Sequence, residues 1–294
     1  MVELYRRPTI GLALGGGGMR GLAHIGVLKV LEKEEIPIDC LVGSSMGGLL
    51  AALYAGGISA ADLEVEVNKV TRTSRLLRLL DWSPGHGLLK GERLRRYICA
   101  IIGENRRFAD LRIPLALTAV DLCTGSEVLL DRGELVGAIL ATIAVPGVFP
   151  PVELKRQHLV DGGVLNNVPA DVARHLGAEK VIAVNVNFSP GEEGYQASGE
   201  DPRPWVSNLM PGFAQDFYRA ELIMVEAMTK VHLRKAHPEL ILRPEIPPGV
   251  TIFSGFSQVE EIIRAGEQAA LEAIEKIRDL LKPGLRLPPR LNLS

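Results

Sequence analysis

Apolar residues in this chain fall into short runs separated by glycine-rich turns. Residues 9–14 (TIGLAL) are such a run, of a length that suits a buried strand; four glycines follow, and from Met19 to Leu31 apolar positions recur at helical spacing. The pattern then repeats. Residues 38–42 predict a second strand, 43–47 a turn, and 49–54 a helix closed by Gly56 and Gly57. Two successive strand–turn–helix units imply a parallel sheet with right-handed crossovers.

The alternation continues downstream. Residues 114–121 predict a buried strand, 127–130 a shorter one, and 134–143 a helix ended by Pro146. Residues 158–160 lead as a strand into Asp161-Gly162-Gly163, 170–176 predict a helix capped by Gly177, and 181–186 a β-branched strand. Residues 189–204, rich in Gly, Glu, Ser and Pro, suit a mobile surface loop or the edge of a lid. Beyond them the pattern predicts a long amphipathic helix over 213–234, a strand over 240–242 and a final helix over 259–281. No repeat and no linker divides the chain. The expectation is one α/β domain over 1–294, with a core at 9–187, a C-terminal helical extension at 205–282 and an irregular tail at 283–294.

Composition narrows the class without naming the chemistry. With 294 residues, 47% of them hydrophobic and 23% charged, the chain can bury a full core and has the balance of a soluble globular protein. A formal net charge of −2 gives no ground for expecting nucleic acid as a partner. Cys40, Cys99 and Cys123 are odd in number and lack metal-like spacing, which fits a reducing, cytoplasmic setting; no metal or cofactor is expected. The opening MVELYRRPTI lacks the basic, apolar and small-residue order of a signal peptide. The apolar run 136–152 is interrupted by Pro146, Pro150 and Pro151 and is too short to span a bilayer, so any membrane contact is expected to be peripheral.

Three motifs carry chemistry. Gly43-Ser44-Ser45-Met46-Gly47 matches G-x-S-x-G, and its place between a predicted strand and a helix is what a nucleophile elbow requires: Gly43 and Gly47 leave room for a sharp turn that exposes the Ser45 hydroxyl. Gly15-Gly16-Gly17-Gly18-Met19-Arg20-Gly21 stands between the first strand and helix, where bare backbone amides can converge on a phosphate or an oxyanion. Gly16-x-Gly18-x-x-Gly21 also matches the dinucleotide fingerprint, so a non-catalytic nucleotide- or lipid-binding protein is the alternative. Against the nucleotide, the second strand ends in Val42-Gly43-Ser44 without the ribose-binding acid, and Asp39 lies at the strand's beginning. Arg20 reads as an oxyanion-supporting or loop-shaping group, or as an ordinary first-turn charge. Asp161-Gly162-Gly163, taken alone, is only a good turn.

In their order, GGGGMRG, GSSMG and DGG resemble the patatin-like phospholipase family, and so do AVDLCTG at 119–125, VPGVFPP at 145–151 and VDGGVLNNVP at 160–169. The resemblance spans roughly 9–187 and is to the small bacterial members. It implies a three-layer α/β fold with a mainly parallel central sheet and a nucleophile elbow. It further implies a serine acyl-ester hydrolase acting on lipids: Ser45 attacks the ester, Asp161 takes its proton, and no histidine takes part. Gly16, Gly17 and Gly18 would form the oxyanion hole with Arg20 in support, and Gly162 and Gly163 would complete the aspartate motif. Relatives usually carry Arg-Ala-Ser where this chain has Leu140-Ala141-Thr142, a departure that bears on local packing and substrate preference.

An ordinary triad would need a histidine after the acid, which leaves His175, His232 and His237, all in or beside helices. Surface or helix-end roles suit them better, and His24 reads as a packed residue. Residues 72–112 carry ten Lys or Arg, from Arg72, Arg75 and Arg78 to Arg112, against four acids. With Leu76, Leu77, Leu79, Leu80 and Trp82 interleaved, the stretch could lie on an anionic membrane or form a solvated helix face or a lid; the sequence leaves these open, and is silent on oligomeric state.

Overall fold

The computed structural model describes residues 6–71, 81, 89–188, 212–251 and 254–283, with backbone alone for 212–219. The loop expected at 189–204, residues 72–80 and 82–88 of the basic stretch, and nearly all of the tail lie outside these.

Five strands form the parallel part of one sheet: β1 (Ile10–Leu14), β2 (Cys40–Gly43), β3 (Leu115–Asp121), β7 (Lys180–Val184) and β8 (Leu240–Leu242). Three more join through antiparallel pairs: β4 (Ser126–Leu130), β5 (Val152–Leu154) and β6 (Gln157–Asp161). The order runs β5-β6-β3-β2-β1-β7-β8, with β4 on β3. The sheet is therefore mainly parallel, with an antiparallel annex at one side.

Every residue of β1, β2 and β3 is buried, as expected of strands covered on both faces and read in the sequence as unbroken apolar runs. The two faces differ in size. Ile10, Leu12, Leu14, Leu41, Leu115, Leu117, Ile182 and Val184 point into the larger core. There they meet α1 (Ala23–Lys33), α2 (Ser45–Ala55), α3 (Ala60–Thr71), α4 (Glu92–Ile102), α5 (Leu135–Thr142) and α8 (Val259–Glu272). Ala13, Cys40, Val42, Ala116, Val181 and Ala183 point the other way, onto α6 (Ala170–His175) and, through Leu233, α7 (Gly212–Ala236). Small side chains there let α6 sit close to the sheet. The result is three layers, with each fully buried Leu or Ile contributing about 1.5–3 kcal/mol.

The C-terminal helices belong to that same core. Gly26 of α1 and Gly266 of α8 face each other's helix so closely that a Cβ on either would collide with the backbone of Ile263 or Ala23. The single final helix expected over 259–281 is two: α8 stops at Glu272 and α9 (Ile274–Leu280) starts after Ala273, whose φ of −97° and ψ of 0° break the ladder. Helix α2 begins at Ser45, four residues before the predicted start, and α3, α4 and β5 were not foreseen. No described helix is long and apolar enough to cross a membrane.

Candidate active site

Strand β3 acts as a ruler for the site. Its first residues pair with β2, ending at Leu117 opposite Gly43, and its last residues pair with β6, with Ala119 opposite Asp161. Asp161 thus sits two residues, or about 7 Å, further along β3 than Gly43. Ser45 lies two residues beyond Gly43, so serine and aspartate reach the same end of the sheet.

The elbow is tight. Ser44 is extended, and Ser45 takes φ of +52° as the first residue of α2. That left-handed conformation costs a non-glycine residue about 1–3 kcal/mol. Both motif glycines are needed sterically: a Cβ on Gly43 would lie 2.5 Å from Gly48 Cα, and one on Gly47 would strike the Leu14 and Gly15 carbonyls. The elbow therefore presses directly on the start of the glycine loop. Ser45 is 9% exposed, at the floor of the site, whereas Ser44 is wholly buried with an unpartnered hydroxyl.

One residue that the sequence reading passed over holds this turn. Thr142, at the end of α5, accepts a 3.1 Å hydrogen bond from the Ser45 amide and is fully buried against Gly48. It is the third residue of the Leu-Ala-Thr departure noted above, and its hydroxyl is the signal that could have found it.

Asp161 ends β6 and caps the short turn Gly162–Val164, accepting a 2.8 Å bond from the Gly163 amide. It is 4% exposed. Burial pushes its carboxyl up to about 7; the Ser45 hydroxyl and the Gly163 amide pull against that, and Glu221 on α7 adds to it. Its Oδ2 nevertheless has no well-formed hydrogen bond. The Ser45 contact is thus an approach rather than an aligned bond. Gly162 must lack a side chain because Thr118 fills the space beside it.

In the glycine loop, the Gly15 amide donates to Val184 O (3.0 Å) and the Gly16 amide to Asn167 O (3.0 Å). The Gly16 amide, expected in the oxyanion hole, is thus already committed. Gly17 and Gly18 have no backbone acceptor among the described residues, and Gly18, at φ of +55°, turns the chain so that consecutive amides can converge. Arg20 is 4% exposed; its Nε donates to Val186 O (2.7 Å), its Nη2 to Asn187 O (3.2 Å), and its guanidinium lies 4.1 Å from the Phe188 ring. It ties the loop to the exit of β7.

His24 is fully buried under the same loop, with Nε2 donating to Gly15 O at 2.6 Å; burial holds its pKa down to about 4, so the ring is neutral. Among the described residues no histidine is hydrogen-bonded to Ser45 or Asp161, and His158, His175 and His237 are exposed. Asp39, the nearest acid to the dinucleotide pattern, is held at the opposite end of β2 by Arg7 (2.6 and 2.8 Å) and the Ile10 amide (2.6 Å). No group of three or more metal-ligating side chains occurs among the described residues.

The model of the family described as patatin-like phospholipase matches residues 12–174. An uncharacterized NTE family protein of Mycobacterium tuberculosis is 35% identical over 204 residues, covering 69% of this chain and 56% of the relative. Patatin-like phospholipase domain-containing protein 6 of Homo sapiens is 35% identical over 270 residues, 86% of this chain but 20% of that protein. The chain thus spans about half or less of the length of these relatives. Among solved structures, VipD from Legionella pneumophila superimposes with a TM-score of 0.61 at 12% identity, over 93% of this chain and 67% of that one, a likeness of fold.

Proposed function

The chain belongs to the patatin-like phospholipase family, and from that premise we propose that it is a serine acyl-ester hydrolase of lipids working through a Ser45–Asp161 dyad. The observation that carries this reading is a strained serine, 9% exposed, beside a buried carboxyl whose pKa is raised to about 7. An ordinary aspartate, near 3.9, is too weak a base for a hydroxyl; one near 7 is matched to neutral pH.

In the first half-reaction Ser45 Oγ bonds to the ester carbonyl carbon while its proton passes to Asp161. The carbonyl oxygen becomes an oxyanion, held by the Gly17 and Gly18 amides at the N-terminal side of the first helix. Collapse breaks the ester C–O bond, and the leaving alcohol takes the proton from Asp161, leaving acyl-Ser45. Water then attacks, giving its proton to Asp161, and the carboxylic acid departs as Ser45 recovers its proton. Arg20 braces the loop through its bonds to the β7 exit. Neither a metal nor a cofactor is required by these steps.

For setting, we propose a cytoplasmic enzyme that meets anionic membranes peripherally through the basic stretch 72–112. Exposed Arg93, Arg95 and Arg96 on α4 support it. The hydrolase reading is tested by fluorophosphonate labelling and p-nitrophenyl ester hydrolysis. Ser45→Ala should lose both, while Ser44→Ala, which removes only an unpartnered buried hydroxyl, keeps both. The opposite pattern would place the nucleophile wrongly.

A further inference from the structure

Asn167 stands six residues after Asp161 and reaches across to the glycine loop. Both backbone polar groups of Gly16 are paired with it: the Gly16 amide donates to Asn167 O at 3.0 Å, and Asn167 Nδ2 donates to Gly16 O at 3.1 Å. The second proton of that amide goes to Asn187 Oδ1. Both Nδ2 donors therefore end on oxygens, so the carboxamide can sit in only one orientation. Its Oδ1 fills the space beside Gly16 and Gly163: a Cβ on Gly16 would collide with it, and one on Gly163 would lie 2.5 Å away. The Asn167 carboxamide is a wedge between the loop that carries Gly17 and Gly18 and the turn that carries Asp161.

Asn187 is itself fixed. Its side-chain nitrogen is committed: Nδ2 donates to Glu226 Oε2 (3.2 Å) and Thr229 Oγ1 (3.0 Å) on the inner face of α7, and its backbone N–H donates to Asn185 Oδ1 (2.9 Å). Asn167 is 5% exposed, and Glu226 and Thr229 are buried, so the chain of bonds from α7 to Gly16 begins and ends in the interior, with a partly buried Asn187 between, and the Asn167–Gly16 bond itself is buried, where a bond is worth more.

We infer that Asn167 is a positioning residue for the oxyanion hole: through Gly16 it sets where the Gly17 and Gly18 amides stand relative to Ser45 and Asp161. The inference rests on the hydrolase reading for its catalytic consequence, not for the geometry. A side-chain misplacement of the order of 1 Å at such a site costs about 10²-fold, and loss of an oxyanion donor about 10²–10³-fold.

The test uses the whole chain and three variants, Asn167→Ala, the near-isosteric Asn167→Asp and, as control, Asn166→Ala. Asn166 is equally buried but donates to Glu127 (3.1 Å) and Asp171 (2.9 Å), away from the loop. Both Asn167 variants should lower kcat on a p-nitrophenyl ester by about 10- to 100-fold with KM within about twofold, and slow fluorophosphonate labelling in proportion. Amide hydrogen exchange of the peptide around Gly15–Gly18 should speed up in both. Asn166→Ala should lose thermal stability yet keep kcat and slow loop exchange. Wild-type exchange in the loop of a folded Asn167 variant overturns the inference whatever the activity, as does an equal kcat loss in Asn166→Ala. A wild-type chain that neither labels nor hydrolyses ester would instead sink the hydrolase reading, and the exchange result would still decide the role of Asn167 in holding the loop.

Discussion

Replacing Asp161 by Asn should stop the enzyme and, at alkaline pH, stabilise it. Asp161 titrates near 7 in the fold against 3.8 for the unperturbed group, chiefly because burial opposes its charge. A shift of that size corresponds to about 4 kcal/mol of opposition to the carboxylate. Because the folded pKa lies above the unfolded one, this contribution to stability is whole below pH ~3.8 and is lost as pH rises through about 7. Between pH 5 and 8 the wild-type fold should therefore lose roughly 2–3 kcal/mol that the Asn variant keeps. Denaturant melts of both proteins at pH 5 and pH 8 measure this directly, since every other titrating group is common to the two. In parallel, kcat/KM of the wild type should rise about tenfold from pH 6 to pH 8, following ionisation of the base. A stability gap independent of pH, together with a rate already flat above pH 5, would mean that Asp161 ionises like a surface acid and that the proposed base is wrong.

Thr142→Val should leave the Ser45 amide buried without an acceptor, costing about 1–3 kcal/mol in a chemical melt and lowering kcat, whereas Thr142→Ser should restore both; full activity in the valine variant would refute the role of Thr142 in holding the elbow. His24 is neutral in the fold at about 4, below its ordinary 6.5, so it should cost stability as pH falls from 6.5 towards 4, and His24→Gln should flatten that acid limb of the melting curve while retaining substantial activity. Changing Arg93, Arg95 and Arg96 together to Gln should lower co-sedimentation with anionic vesicles at low salt, an effect that fades as ionic strength rises; unchanged sedimentation would leave α4 as a solvated face.

The parts of the fold that were legible in the sequence are those governed by neighbouring residues. The strands at the centre of the sheet are buried on both faces, so their sequences are unbroken apolar runs, and β1, β2, β3 and β7 fall within a residue or two of where the runs lie. The elements that were missed carry weaker or competing local signals. In α3, Leu63, Val65 and Val67 alternate with acids as a strand would, and α4 lies in a stretch whose charge drew more notice than its helical period. The break at Ala273 has neither glycine nor proline to mark it.

The chemistry divides in the same way. An elbow is a local object: Gly43, Ser45 and Gly47 are close in the chain because the turn itself demands them, and the sequence determined that Ser45 would stand at the turn between strand and helix, although the fold leaves it only 9% exposed. Whether Asp161 could serve it was not a local matter. That depended on β3 holding β2 and β6 in successive registers, on burial that lifts the carboxyl to about 7, and on Glu221 arriving from α7. Likewise four glycines announced a loop of available amides, but only the fold decided that Gly16 is bound to Asn167 and that Gly17 and Gly18 are the pair left without a backbone acceptor among the described residues. Short-range sterics are written in adjacent residues, whereas desolvation and hydrogen-bond competition depend on atoms that the chain brings together from more than a hundred positions apart.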